Sequence, residues 1–145
     1  MTITETQNSI IKQFSELTDW DEKYSMLIKM GRELPELSEK IKTAKYKLDG
    51  CQSRVWMNAK LEDGKVIIIG DSDAMIVKGL VAILIKAYSD FAPSEILSTP
   101  PSFLSEIGID KHLSLTRKNG LGAMLKQIQL FAIAYKAMAE KEKNL

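Results

Sequence analysis

Cys51 is the only cysteine of the chain and His112 its only histidine, so any thiol or imidazole chemistry in these 145 residues is built around those two side chains. Three chemistries compete. A Cys/His hydrolase would use His112 to deprotonate Cys51, but no third orienting group or oxyanion hole is legible, and His112 in Asp110-Lys111-His112-Leu113 reads more readily as a loop or cap residue between short helices. A metal or iron-sulfur scaffold needs several soft ligands, and the chain has one thiol. Covalent sulfur carriage needs only one. A thiolate attacks a sulfur atom held on a donor, takes it as a persulfide and surrenders it to the next thiol. Against all three stands a buried Cys51 that packs as a small hydrophobe.

The neighbours of Cys51 bear on that choice. Asp49-Gly50-Cys51-Gln52-Ser53-Arg54 is polar, has a glycine before the thiol, and stands at the entrance to a strand rather than inside an apolar stripe. Such surroundings favour accessibility. Arg54, Lys47 and Lys45 would favour the thiolate and Asp49 would oppose it, so the residue types leave the thiol's acidity open.

Composition narrows the partners. The length fits one domain spanning 1–145, and 45% hydrophobic with 27% charged residues is the balance of a chain that folds alone. Twenty basic against nineteen acidic residues leave a net charge of +1, which offers a nucleic acid no strong field. The longest wholly apolar run, Leu80 to Ile85, is too short to span a bilayer, and the first residues lack a signal-peptide pattern. A cytoplasmic protein with a reduced thiol, neither membrane-bound nor nucleic-acid-binding, is the expectation.

The elements that must hold Cys51 follow from periodicity. Ile10, Ile11, Phe14 and Leu17, then Trp20, Tyr24, Leu27, Ile28 and Met30, predict two N-terminal helices, the second stopped by Gly31 and Leu34-Pro35. Thr43 to Lys47 leads into a short first strand ending near Gly50. From Ser53 the period becomes two: Ser53, Val55, Met57, Ala59 and Leu61 face one side, and Arg54, Trp56, Asn58 and Lys60 the other. Asp63-Gly64 then turns the chain into a return strand over Val66 to Ile69. Trp56 on the polar side calls for a covering helix or a partner surface.

Asp71-Ser72-Asp73 offers caps for a mostly buried helix carrying Ala74, Val77, Leu80, Val81, Leu84 and Tyr88. Short connecting helices begin at Pro93 and after Pro101. The last helix begins near Asn119 and carries Leu121, Met124, Leu125, Ile128, Phe131, Ala132, Tyr135 and Met138, with a solvated tail from Ala139. The class is α+β: a small three-stranded antiparallel sheet packed by helices.

Gly50-Cys51-Gln52-Ser53-Arg54-Val55-Trp56 resembles the GCxSxVW signature of the SufE family, sulfur acceptors that work with cysteine desulfurases. The likeness extends over Asp21-Glu22-Lys23-Tyr24, Gly31-Arg32-Glu33-Leu34-Pro35, Asp71-Ser72-Asp73-Ala74, Ile76-Val77-Lys78-Gly79-Leu80 and Arg117-Lys118-Asn119-Gly120-Leu121. Leu115-Thr116 and Thr18-Asp19 depart from the family's usual words without touching the acceptor loop.

The resemblance implies a SufE/IscU-like fold with Cys51 as acceptor and as the one catalytic residue. It implies as partners a SufS-type cysteine desulfurase, which carries the pyridoxal phosphate, and a SufBCD-type iron-sulfur scaffold complex. This chain would itself hold no cofactor or metal, would not be a desulfurase, and would pair as a homodimer. Gly50, Gln52, Ser53, Arg117 and Asn119 are the candidates for supporting the loop or meeting the partner, with Asn119 alternatively an N-cap and Arg117 a solvated charge. The loop is expected to rest partly sheltered and to open on docking. Two other readings remain: a CsdE-type partner of a different desulfurase, and an allosteric activator in which Cys51 is incidental.

Overall fold

The computed structural model describes residues 1–48 and 52–143, so Gly50 and Cys51 lie outside the described residues. Two helices open the chain: α1, Ile3–Ser15, and α2, Trp20–Arg32. Each has a side-chain cap where its sequence provides one. Thr2 accepts from the Glu5 N–H, Asp19 accepts from the Glu22 N–H at 2.9 Å, and the Glu22 carboxylate reaches back to the Thr18 N–H at 2.7 Å. Ile3, Gln7, Ile10 and Phe14 form the buried stripe of α1.

A hairpin follows, β1 over Val55–Glu62 and β2 over Lys65–Ser72, paired antiparallel from Val55↔Ser72 to Glu62↔Lys65. Asp63 and Gly64 have φ of 52° and 77°, the two positive values that match a tight turn to the twist of its strands. Met57 and Gly70 are partners on the face that meets α3, Met75–Tyr88, where a Cβ on Gly70 would lie 2.8 Å from Val81. Helix α3 is apolar on nearly every side and central, packed on α2 as well as on the hairpin. At its contact with α2, a Cβ on Gly79 would lie 2.3 Å from the Leu27 carbonyl oxygen, so only glycine lets the two backbones meet.

Short helices α4, Pro93–Ser98, α5, Ser102–Glu106, and α6, Ile109–His112, then lead to α7, Leu115–Lys143. Helix α7 closes the core with Leu121, Met124, Ile128 and Ala132, and the Tyr135 hydroxyl donates to the Ala59 carbonyl at 2.7 Å. No helix among the described residues is long and apolar enough to cross a membrane.

The α+β class stands, with corrections. Among the described residues the sheet has two strands rather than three. The segment expected as the first strand contributes one isolated bridge, Lys47↔Trp56, with the Leu48 N–H on the Val55 carbonyl at 2.9 Å and the Met57 N–H on that of Tyr46 at 3.1 Å. Before Tyr46 the backbone bonds to itself in turns, Thr43 to Ile41 and Tyr46 to Thr43, which leaves too short an extended piece for a ladder.

The last helix starts at Leu115, four residues before the expected Asn119. Ser114 caps it, accepting the Arg117 N–H on its hydroxyl at 3.3 Å, so Asn119 lies inside the helix and is no N-cap. The tail from Ala139 stays helical to Lys143. Helix α3 has no side-chain cap of its own at Ala74: Asp71 and Ser72 belong to β2, and Asp73 is engaged by Arg54.

Candidate functional site

A cleft of about 390 Å³ lies between the entrance to β1, helix α3 and the first turns of α7. Gln52 and Ser53 form one wall, Val77 and Leu80 the floor from α3, and the cap residue Ser114 with Thr116, Arg117, Gly120 and Met124 of α7 the other side. Three of the residues singled out in the sequence, Gln52, Ser53 and Arg117, thus meet across one cavity although 64 positions separate Ser53 from Arg117. Asn119 does not line it and is exposed on α7. The mixture of an apolar floor with hydroxyls, an amide and a guanidinium suits a small polar group.

The chain on either side of positions 49–51 is anchored. On the far side, the Arg54 N–H donates to Asp73 Oδ1 and its Nε–H to Asp73 Oδ2, both at 3.0 Å. The Arg54 carbonyl accepts from the Ser72 hydroxyl at 2.8 Å and from the Asp73 N–H at 3.3 Å. Four hydrogen bonds on one residue fix where the polar segment ends and β1 begins. On the near side the Leu48 N–H to Val55 carbonyl bond closes the base of the loop. The reading of Asp73 as a helix cap misses this role, because sequence spacing does not show that Arg54 and Asp73 stand side by side at the open end of the hairpin.

Below that base Trp56 stands opposite Asp71, and both are buried. The Asp71 carboxylate receives Lys42 Nζ on Oδ2 and Lys78 Nζ on Oδ1, each at 3.2 Å, and the Ser72 N–H on Oδ1 at 2.8 Å. Burial raises its pKa, but these three donors outweigh burial and hold the carboxyl below the usual aspartate range. The hydrogen bond to Asp71, with the carboxylate charge, raises the Lys42 ammonium in turn. Trp56 is outside the main apolar cluster. It is nevertheless only 7% exposed, and the Lys42 ammonium and the Arg54 guanidinium each stand 6.0 Å from its ring.

His112 is engaged elsewhere. Its ring stacks on Trp20 with centroids 3.7 Å apart, its carbonyl accepts from the Tyr24 hydroxyl at 2.7 Å, and it does not line the cleft. A hydrolytic pair served from this cleft therefore has no imidazole. Among the described residues no three of His, Cys, Asp and Glu come together in a group that could hold a metal ion.

Residues 8–132 match the family model described as "SufE: Fe-S metabolism associated domain". An uncharacterized SufE-like protein of Synechocystis sp. is 40% identical over 126 residues, which cover 87% of this chain and 79% of that protein. In fold, the chain is similar to the solution structure of a hypothetical protein from Thermus thermophilus, with a TM-score of 0.76, 20% identity, and coverage of 91% of this chain and 96% of that one.

Proposed function

This chain belongs to the SufE family, whose domain is associated with Fe-S metabolism, and from that premise we propose that Cys51 is the acceptor in a sulfur-transfer step. The donor is a persulfide on a cysteine desulfurase of SufS type, whose pyridoxal phosphate supplies the chemistry that frees sulfur from cysteine. The Cys51 thiolate attacks the terminal sulfur of that persulfide. One S–S bond forms on Cys51 while the donor's S–S bond breaks, the donor leaves as a thiolate, and the proton of the transferred SH group travels with its sulfur. No outside oxidant or reductant is needed. The persulfide on Cys51 then passes by the same exchange to a SufBCD-type scaffold complex. The resemblance adds pairing as a homodimer and clearance of the desulfurase for its next turnover.

The observation that carries this reading is the cleft. The two residues that follow Cys51 in the chain share a cavity with Arg117 and with the hydroxyls of Ser114 and Thr116, while the one histidine is committed to Trp20. Such a site offers a sulfur anion donors and a cation but, among its described lining residues, no general base for hydrolysis.

The test is the intact mass of the protein after incubation with a cysteine desulfurase and free cysteine, read before and after reduction. A reducible gain of about 32 Da per sulfur, absent from Cys51→Ser, is the expected result. No gain with either a SufS-type or a CsdA-type desulfurase overturns the reading. Desulfurase stimulation that survives in Cys51→Ser would favour the activator instead.

A further inference from the structure

We infer that Lys42 is a positioning residue for the acceptor loop: its ion pair with Asp71 latches the segment of residues 35–48, which leads into Cys51, onto the hairpin. This inference rests on the reading of Cys51 as a sulfur acceptor. Residues 35–45 bond mainly to themselves, Ile41 to Ser38 at 3.0 Å and Thr43 to Ile41 at 2.7 Å, and their apolar side chains Leu37 and Ile41 are outside the core cluster. Among the described residues, the polar ties from this stretch to the body all run through the Lys42 ammonium, 3.2 Å from Asp71 and 6.0 Å from the Trp56 ring. Lys42 precedes Cys51 by nine residues, and among the described residues between them the chain is held where Tyr46 and Leu48 bond to β1, with Leu48 buried in the core.

The charge balance at Asp71 makes this latch releasable. Lys78 on α3 already stands 3.2 Å from the carboxylate and neutralises it, so the second lysine can leave without stranding a buried, unpaired charge. Lys78 therefore serves the fold and Lys42 the segment. Release would change the cover of Trp56, which is only 7% exposed when Lys42 is seated, and would loosen the segment that leads into the acceptor loop while the hairpin and helices stay in place.

The experiment compares the full chain with Lys42→Gln and Lys42→Arg by amide hydrogen exchange, and by acrylamide quenching of Trp56 in a Trp20→Phe background. In Lys42→Gln, exchange across residues 35–48 and quenching of Trp56 are expected to rise about two- to fivefold, the scale of a partly exposed ion pair, with the unfolding midpoint lowered by no more than a few degrees. Lys42→Arg should restore both. In the sulfur-uptake assay, Lys42→Gln should change the rate of gain on Cys51 and leave the final extent intact. Exchange and quenching equal to the parent protein overturn the latch, and so does a fall in the midpoint with exchange rising across the whole chain. Failure of the acceptor reading is separate, because it appears as absence of any sulfur gain in the parent protein.

Discussion

Trp56 and Asp71 are direct cross-strand partners on the open end of the hairpin, and one ammonium group, that of Lys42, reaches both the carboxylate and the indole. An indole beside a buried carboxylate would be an awkward pair without that cation. With Lys42 and Lys78 seated, the carboxylate is satisfied and the ring gains a charged neighbour. This end of the hairpin is also the one from which the chain runs toward Cys51, so the same contacts tie the fold to the candidate site.

Acid should weaken the fold through this cluster. Asp71 has its carboxyl held below the ordinary aspartate range when folded, so its contribution to stability is complete above the unfolded value near 4 and is lost as pH falls through the depressed folded value. Stability measured by urea unfolding at stepwise lower pH should decline in the parent protein through this window. In Asp71→Asn that share of the decline should be missing, at the cost of lower stability at neutral pH. Parallel pH profiles for the two proteins would count against the assignment.

Arg54 and Asp73 should matter more to transfer than to folding. Both side chains are well exposed, at 64% and 40%, so solvent screens their pairing and Asp73→Ala should cost no more than about 1 kcal/mol of stability. It also removes the acceptor for the Arg54 N–H, which loosens the end of the loop nearest Cys51. A changed rate of sulfur gain with a midpoint shifted by only a few degrees is the expected pattern, measured by intact mass and thermal unfolding.

Arg117 gives the sharpest test of the cleft. It is exposed, and among the described residues no ion pair holds it, so Arg117→Ala should leave stability within about 0.5 kcal/mol. If the cleft serves Cys51, sulfur uptake should slow markedly, and Arg117→Lys should recover only part because a compact ammonium lacks the planar fork. Uptake at the parent rate in Arg117→Ala would remove Arg117 from the site.

Gly79 sets the contact between α2 and α3. Gly79→Ala would drive a methyl group to 2.3 Å from the Leu27 carbonyl oxygen, and the two helices would have to separate. A loss of about 1–3 kcal/mol or more is expected in denaturant unfolding, against the small gain that alanine brings to an ordinary helix interior.

Much of the framework is written in the order of the residues. Apolar spacing in 10–17 and 20–30 marks α1 and α2, Asp63-Gly64 marks the turn, and the alternation from Ser53 marks β1, because each signal is local and its physical cause acts within a few residues. The sequence likewise singles out Cys51 with Gly50, Gln52, Ser53, Arg117 and Asn119, of which the cleft brings Gln52, Ser53 and Arg117 together and leaves Asn119 outside. The composition of that set is also what rules against a multi-thiol metal site.

Other features depend on what the chain meets far away. Whether residues 43–48 extend as a strand depends on how much of β1's outer edge they can reach, and turns within 38–46 leave only a bridge. Ser114, not Asn119, starts α7, although the residues between them carry no stop signal in either direction. Asp71 and Asp73 have the spacing of a helix cap, yet their side chains turn to Lys42, Lys78 and Arg54. A carboxylate takes the donors that folding brings to it, and here those donors come from segments 29, 7 and 19 positions away, distances that residue type and local spacing cannot encode.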